Sequence, residues 1–132
     1  MADSKAYWTS DGDQGSVRIS EDVIASIAAI AASEIPGVGN LCSGIGTNVA
    51  EFLGKKNLSK GVKVEFHGDL VEIEISFLAE YGYNIREVSK QLQSAVRSSI
   101  ESMTGMRTAA INVNVGGISF TAQEKNLAES AE

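Results

Sequence analysis

Val62, Val64 and Phe66 alternate with Lys63, Glu65 and His67, and past Gly68-Asp69 the alternation resumes with Val71, Ile73, Ile75 and Phe77. Strand side chains point to opposite faces in turn, so two apolar stripes flanking a glycine-containing pair demand a β-hairpin with one face buried. With Gly68-Asp69 as a two-residue type II′ turn, the register has no freedom. His67 opposes Leu70, Phe66 opposes Val71, Val64 opposes Ile73 and Val62 opposes Ile75. On the outer face Lys63 meets Glu74 favourably, whereas Glu65 meets Glu72, a like-charge pair that calls for a nearby cation. Lys63, on the diagonal, and Arg18, from an earlier strand, are the candidates to supply it.

The remaining elements supply what covers the apolar face. Ser16 to Ser20 reads as a short alternating strand running straight into a helix, with Ser20 at the N-cap and Glu21 and Asp22 in the first turn. This helix is expected to reach about Ile35 and to stop at Pro36-Gly37. Val23, Ile27, Ile30 and Ala31 line one flank and Ile24, Ala28 and Ile35 widen it, while Ala25, Ala29 and Ala32 add to a small-residue surface that permits close approach. The connection from Gly37 to Gly61 is too long to lack internal structure, and Asn48 to Leu53 is expected to form a short helix in it, with Gly54 as its stop. Asn84 caps a second long helix with Glu87 as capping-box partner. Its apolar side is Ile85, Val88, Leu92, Ala95, Val96, Ile100 and Met103, its polar side Arg86, Lys90, Gln93, Arg97 and Glu101, and Gly105 ends it. In the last strand Ile111, Val113 and Val115 alternate with Asn112 and Asn114, and a bulge at Gly116-Gly117 would return Ile118 and Phe120 to the core face.

The order is β-α-α-β-β-α-β, the short helix included. Its simplest fold is an α+β two-layer sandwich, a four-stranded, mostly antiparallel sheet with the two main helices on one face. Residues 15–120 form that single domain. Residues 1–14 read as a flexible acidic arm in which Tyr7 and Trp8 fold back onto their own domain, and residues 121–132 as an acidic tail.

Charge narrows the partners. The 132-residue chain carries a net charge of -6, with -2 in each end segment, where Asp3, Asp11 and Asp13 stand against Lys5 and Glu124, Glu129 and Glu132 against Lys125. Such a chain repels the phosphate backbone, which disfavours nucleic acid as a general partner. Val23 to Ala32, the longest apolar run, is about half the ~20 residues of a bilayer span, so membrane association is expected to be peripheral. One cysteine, Cys42, and no charged leader fit a reducing cytoplasm.

No constellation of residues carries chemistry. Gly54-Lys55-Lys56 lacks the first glycine of a P-loop, since Val49 stands there, and lacks the Ser or Thr where Lys56 stands. Gly44-Ile45-Gly46 has no third glycine and follows no strand, so it is not a dinucleotide fingerprint. His67 and Cys42 cannot build a closed zinc site, and metal binding is not expected. As a nucleophilic pair they are weaker than the reading of Cys42 as a packed loop residue. Glu65 and Glu72 lie on an open face, which does not suit paired acid and base work. The expectation is a chain with no catalytic residues, no metal and no cofactor.

What remains is charge. Lys55, Lys56, Lys60 and Lys63 are a local basic segment, and Glu65, Glu72, Glu74 and Glu80 an acidic outward face. Besides the reading of both as solvated surface, the two form complementary patches through which copies of the chain can meet head to tail. The same lysines could meet anionic lipid head groups or, in the alternative reading, RNA. Stacking of single-stranded RNA on the sheet is disfavoured, because the outward residues Arg18, Lys63, Glu65, Glu72, Glu74, Asn112 and Asn114 include no aromatic ring.

Read in order, several words resemble the alkaline shock protein (Asp/Gls-type) envelope stress response family of Gram-positive bacteria. They are Gly15-Ser16-Val17-Arg18-Ile19-Ser20 with Val23-Ile24, Ile30 to Val38, Leu53-Gly54-Lys55-Lys56, Gly61-Val62-Lys63-Val64, Glu80-Tyr81-Gly82, Met103-Thr104-Gly105 and Val113-Asn114-Val115. The resemblance covers residues 15–120. It implies a cytoplasmic, self-associating, non-enzymatic general stress protein, held at the inner face of the membrane by a small membrane-anchored partner. It implies no cofactor.

Overall fold

The computed structural model describes residues 7–42 and 61–120. Strand β1 (Tyr7–Gly12) and strand β2 (Gly15–Ser20) form an antiparallel two-stranded sheet, and β2 continues directly into helix α1 (Glu21–Ser33). Strand β3 (Val38–Leu41), strand β4 (Val62–His67), strand β5 (Leu70–Glu80), helix α2 (Ile85–Thr104) and strand β6 (Arg107–Ser119) complete the order. The class is α+β, with two helices packed on a four-stranded sheet.

The eleven residues of β5 organise that sheet. β4 pairs antiparallel with its first half in the register the alternation dictates, from His67 opposite Leu70 to Val62 opposite Ile75. Gly68 has φ 63° and no non-glycine residue among the described residues, Asp69 included, has positive φ, as a type II′ turn requires. Because β4 has only six residues, the rest of that edge is free, and β3 takes it, Val38 facing Ala79 and Leu41 facing Phe77. The two strands meet at Ser76, whose N–H donates to the Gly61 carbonyl (2.8 Å) and whose carbonyl accepts from Cys42 N–H (2.9 Å).

β6 runs parallel to β5 along the other edge, the crossover being made by α2. Its register slips at Gly116, since Phe77 faces Val115 and Leu78 faces Gly117, which is the bulge expected there; a second slip leaves Ala109 unpaired. Asn84 Oδ1 accepts from Glu87 N–H at 3.0 Å and Gly105 closes α2 with φ 75°, both as read from the sequence. The polar row of α2 has a task that periodicity does not reveal. Gln93 Nε2 donates to the Ile111 carbonyl (2.9 Å) and Arg97 to the Thr108 carbonyl (3.1 Å). Glu101 accepts from Thr108 N–H and hydroxyl (both 3.2 Å). These side chains occupy backbone groups of a strand that β5 satisfies only in part.

The core lies between this sheet and both helices: Val71, Ile73, Ile75, Phe77 and Ala79 of β5 are fully buried against Ile24 and Ala28 of α1 and Val88, Leu92, Val96 and Ile100 of α2. α1 turns its alanine side inward. Ile24, Ala25, Ala28, Ala29, Ala31 and Ala32 are buried, whereas Val23 and Ile30, expected on the core flank, are about half exposed. A helix apolar over most of its circumference is oriented by the space available, and the small residues allow the closer approach.

Two expectations need correction. Residues 16–20 do form a strand, but it belongs to the separate two-stranded sheet, and β3 takes the fourth place in the main one. Ser20 is both the last residue of β2 and the N-cap of α1, accepting from Val23 N–H at 3.4 Å, so no turn exists to fold β2 back beneath its own helix. Within the stretch expected to be a flexible arm, Tyr7–Gly12 is the partner strand, joined to β2 through Asp13-Gln14. Trp8 and Ile19 pair across it and pack on the core, so the fold-back expected of the two aromatics holds for Trp8, whereas Tyr7 stays exposed. The short helix expected at Asn48 to Leu53 and the tail 121–132 lie outside the described residues.

Candidate functional site

Both helices cover one face of the main sheet, and the other face is built from the alternate residues of β4, β5 and β6. Lys63, Glu65 and His67 of β4 are exposed, Glu72, Glu74 and Glu80 of β5 are half-buried, and Asn112 and Asn114 of β6 are exposed. Four carboxylates therefore share one open surface. Of the basic segment, Lys63 stands on this face, while Lys55, Lys56 and Lys60 lie outside the described residues. Cys42 and Gly61, which bound residues 43–60, meet at Ser76 in the middle of β5.

The register puts Lys63 opposite Glu74 and Glu65 opposite Glu72. Opposition does not become an ion pair in the first case: among the described residues Lys63 makes none, and Glu74 accepts instead from Asn114 Nδ2 at 2.7 Å. Asn112 Nδ2 likewise donates to Glu72 Oε2 at 3.1 Å. Asn112 pairs with Glu74 and Asn114 with Ser76, so each asparagine reaches diagonally to the carboxylate two residues earlier on β5, and a primary amide can donate where an ionised carboxylate only accepts.

Neither candidate cation relieves the Glu65–Glu72 opposition. Arg18 pairs with Thr9 in the other sheet, and Lys63 stays apart. The side chain that reaches both carboxylates is His67. Its Nε2 lies 3.1 Å from Glu72 Oε1 and 3.4 Å from Glu65 Oε1, the side chains of His67, Glu72 and Glu65 remaining open to solvent at 51%, 39% and 72% respectively. One ligand atom from each of the three lies within 4.8 Å of the others. The trio escapes a reading that tests His67 only against Cys42, although the hairpin register already puts His67 on the same face and one rung from the carboxylate pair.

The arrangement assembles no nucleophilic pair. Cys42 is at Ser76 and His67 at Leu70, six residues along β5, a separation of about 20 Å at the rise of an extended strand. Cys42 is half-buried, and a side chain added at Gly116 would reach within 3.2 Å of its Sγ, so it packs where β6 bulges. No helix among the described residues is long and apolar enough to cross a membrane.

Comparison with known proteins gives a consistent set of relatives. The sequence model of the alkaline shock protein 23 family, described as having a cell envelope-related function, matches residues 9–120. Uncharacterized protein YqhY of Bacillus subtilis is 36% identical over 121 residues, 90% of either chain. Uncharacterized protein YloU of the same organism is 31% identical over 109 residues, covering 81% of this chain and 91% of its own. Uncharacterized protein Spy1614 of Streptococcus pyogenes serotype M6 is 35% identical over 106 residues, covering 79% of this chain and 88% of its own.

Proposed function

We propose, from the premise that this chain belongs to the alkaline shock protein 23 family and serves the cell envelope, that it acts as a non-enzymatic, self-associating scaffold. In this reading it sits at the cytoplasmic face of the membrane and is held there by a membrane-anchored protein partner. The observation that carries the reading is the helix-free outer face of the main sheet, where Glu65, Glu72, Glu74 and Glu80 gather on a rigid surface with nothing among the described residues enclosing it. An open face on which four carboxylates stand against one lysine suits recognition between macromolecules, which needs area and complementary charge. Catalysis needs groups converging on a sequestered atom.

The complementary patch is the segment from Lys55 to Lys63. Lysines of one copy against the carboxylates of the next make a head-to-tail contact of unlike surfaces, which propagates into rings or filaments. Raising the salt concentration weakens it, since exposed charges are screened within about 8 Å at physiological ionic strength. RNA as partner is less favoured, because the same face that would receive bases carries carboxylates and lacks aromatic rings.

The test is the double variant Lys55→Glu with Lys56→Glu, followed by sedimentation velocity and by co-fractionation with membranes from cells. The expected result is a shift toward the smallest sedimenting species and a smaller membrane-bound share. A variant that sediments and fractionates like the wild type overturns the assignment of the lysine segment. A wild-type chain that stays monomeric and leaves no trace in the membrane fraction overturns the scaffold itself.

A further inference from the structure

We propose that Glu65, His67 and Glu72 form a surface site for a single divalent transition-metal ion of the zinc class. The argument begins with a cost: two carboxylates stand directly opposite on adjacent strands, which is destabilising unless positive charge lies between them. No lysine or arginine among the described residues supplies it. The group that reaches both carboxylates is an imidazole, which carries a nitrogen donor as well as a place for a proton.

The spacing suits a metal. Zinc is held at about 2.0–2.2 Å by imidazole nitrogen and carboxylate oxygen, so two donors on one tetrahedral ion stand about 3.3 Å apart. His67 Nε2 is 3.1 Å from Glu72 Oε1 and 3.4 Å from Glu65 Oε1. Two of the three edges of a ligand triangle are therefore already at that length, and the third lies within 4.8 Å, which a rotation of the exposed Glu65 closes. Glu72 is also oriented from outside the triangle: Asn112 Nδ2 holds Oε2 at 3.1 Å and leaves Oε1 directed at His67. Such outer partners tune metal ligands. Glu65 and His67 lie two residues apart on β4 and Glu72 lies opposite Glu65 on β5, close to the Gly68-Asp69 turn, so the backbone of one short hairpin fixes all three.

Nitrogen with two carboxylates favours zinc, copper and nickel ions over magnesium and calcium, which take oxygen ligands throughout. The three protein donors leave the solvent side of the ion open to water.

The experiment is calorimetric titration of the tag-free full chain, stripped of metal, with Zn2+ alone. One equivalent is expected to bind. His67→Gln and Glu72→Gln should each weaken the binding by about tenfold or more, while Glu74→Gln, one rung outside the triangle, should change it less than about twofold. All three positions reach solvent, and circular dichroism checks that each variant keeps its fold. In the wild type, the His67 ring signals should shift in proportion to bound Zn2+, a readout that needs no substitution. Absence of Zn2+ binding at millimolar metal, equal binding by His67→Gln, or undisturbed His67 signals would each overturn the site.

Discussion

Phe77→Ala is expected to remove about 3–5 kcal/mol of stability, the cost of deleting a fully buried aromatic side chain and leaving a cavity that its neighbours cannot close. Phe77 is 0% exposed, and it faces Leu41 of β3 on one side and Val115 of β6 on the other, at the point where three strands are joined. β5 alone connects both edges of the sheet, so the loss is felt by every strand of it. Against a total of about 5–15 kcal/mol for an ordinary domain, this leaves a marginal protein. Urea denaturation measures it as a fall in the midpoint with an unchanged slope. A loss below about 1 kcal/mol would mean that Phe77 is not a core residue.

Gly61→Ala is expected to cost about 3 kcal/mol, and Gly68→Ala about 1 kcal/mol, although both glycines have positive φ, 82° and 63°. The difference is in what a Cβ would meet. At Gly68 it enters open space, so only the strain of the left-handed backbone is felt. At Gly61 it would lie 2.6 Å from the Cys42 carbonyl oxygen and 3.0 Å from that of Ser76, both backbone atoms that cannot swing away. The chain must then part at the junction where Ser76 bonds both Cys42 and Gly61, and the seam between β3 and β4 opens. Thermal unfolding of the two variants beside the wild type checks the order, and equal losses would show that the seam tolerates the extra atom.

The hairpin at the centre of the fold is legible in the sequence because two alternating runs flank a turn that admits one register, and that register is observed rung by rung. The Asn84 cap, the Gly105 stop and the Gly116 bulge are legible for the same reason: each is a local demand on backbone conformation. β3 is not. Val38-Gly39-Asn40-Leu41 has no alternation and becomes a strand only because β4 is too short to cover the edge of β5. The inward side of α1 is equally hidden, since apolar residues surround much of the helix and the choice between Ile24 and Val23 is made by packing. β1 looks like an arm because its core contact is a single aromatic, Trp8.

The candidate site divides in the same way. The opposition of Glu65 and Glu72 follows from the register, and so does the position of His67 beside them. What does not follow is which groups then bond. Asn112 and Asn114 reach the carboxylates from a parallel strand whose register depends on the long crossover through α2, beyond what alternation in the hairpin can specify. Lys63 faces Glu74 without pairing to it, consistent with the small gain available to an exposed ion pair, about 0–1 kcal/mol, against the freedom of a long side chain.

The head-to-tail pairing of lysines with the outer sheet face is tested most directly by exchanging charge between two variants. One carries Lys55→Glu with Lys56→Glu, the other Glu74→Lys with Glu80→Lys, which leaves Glu65, His67 and Glu72 intact. Sedimentation velocity of each alone should show little association, and an equimolar mixture at low salt should recover larger species in which the two alternate. A mixture that sediments as the sum of its separate components, beside a wild type that does assemble, would contradict the pairing of these two surfaces.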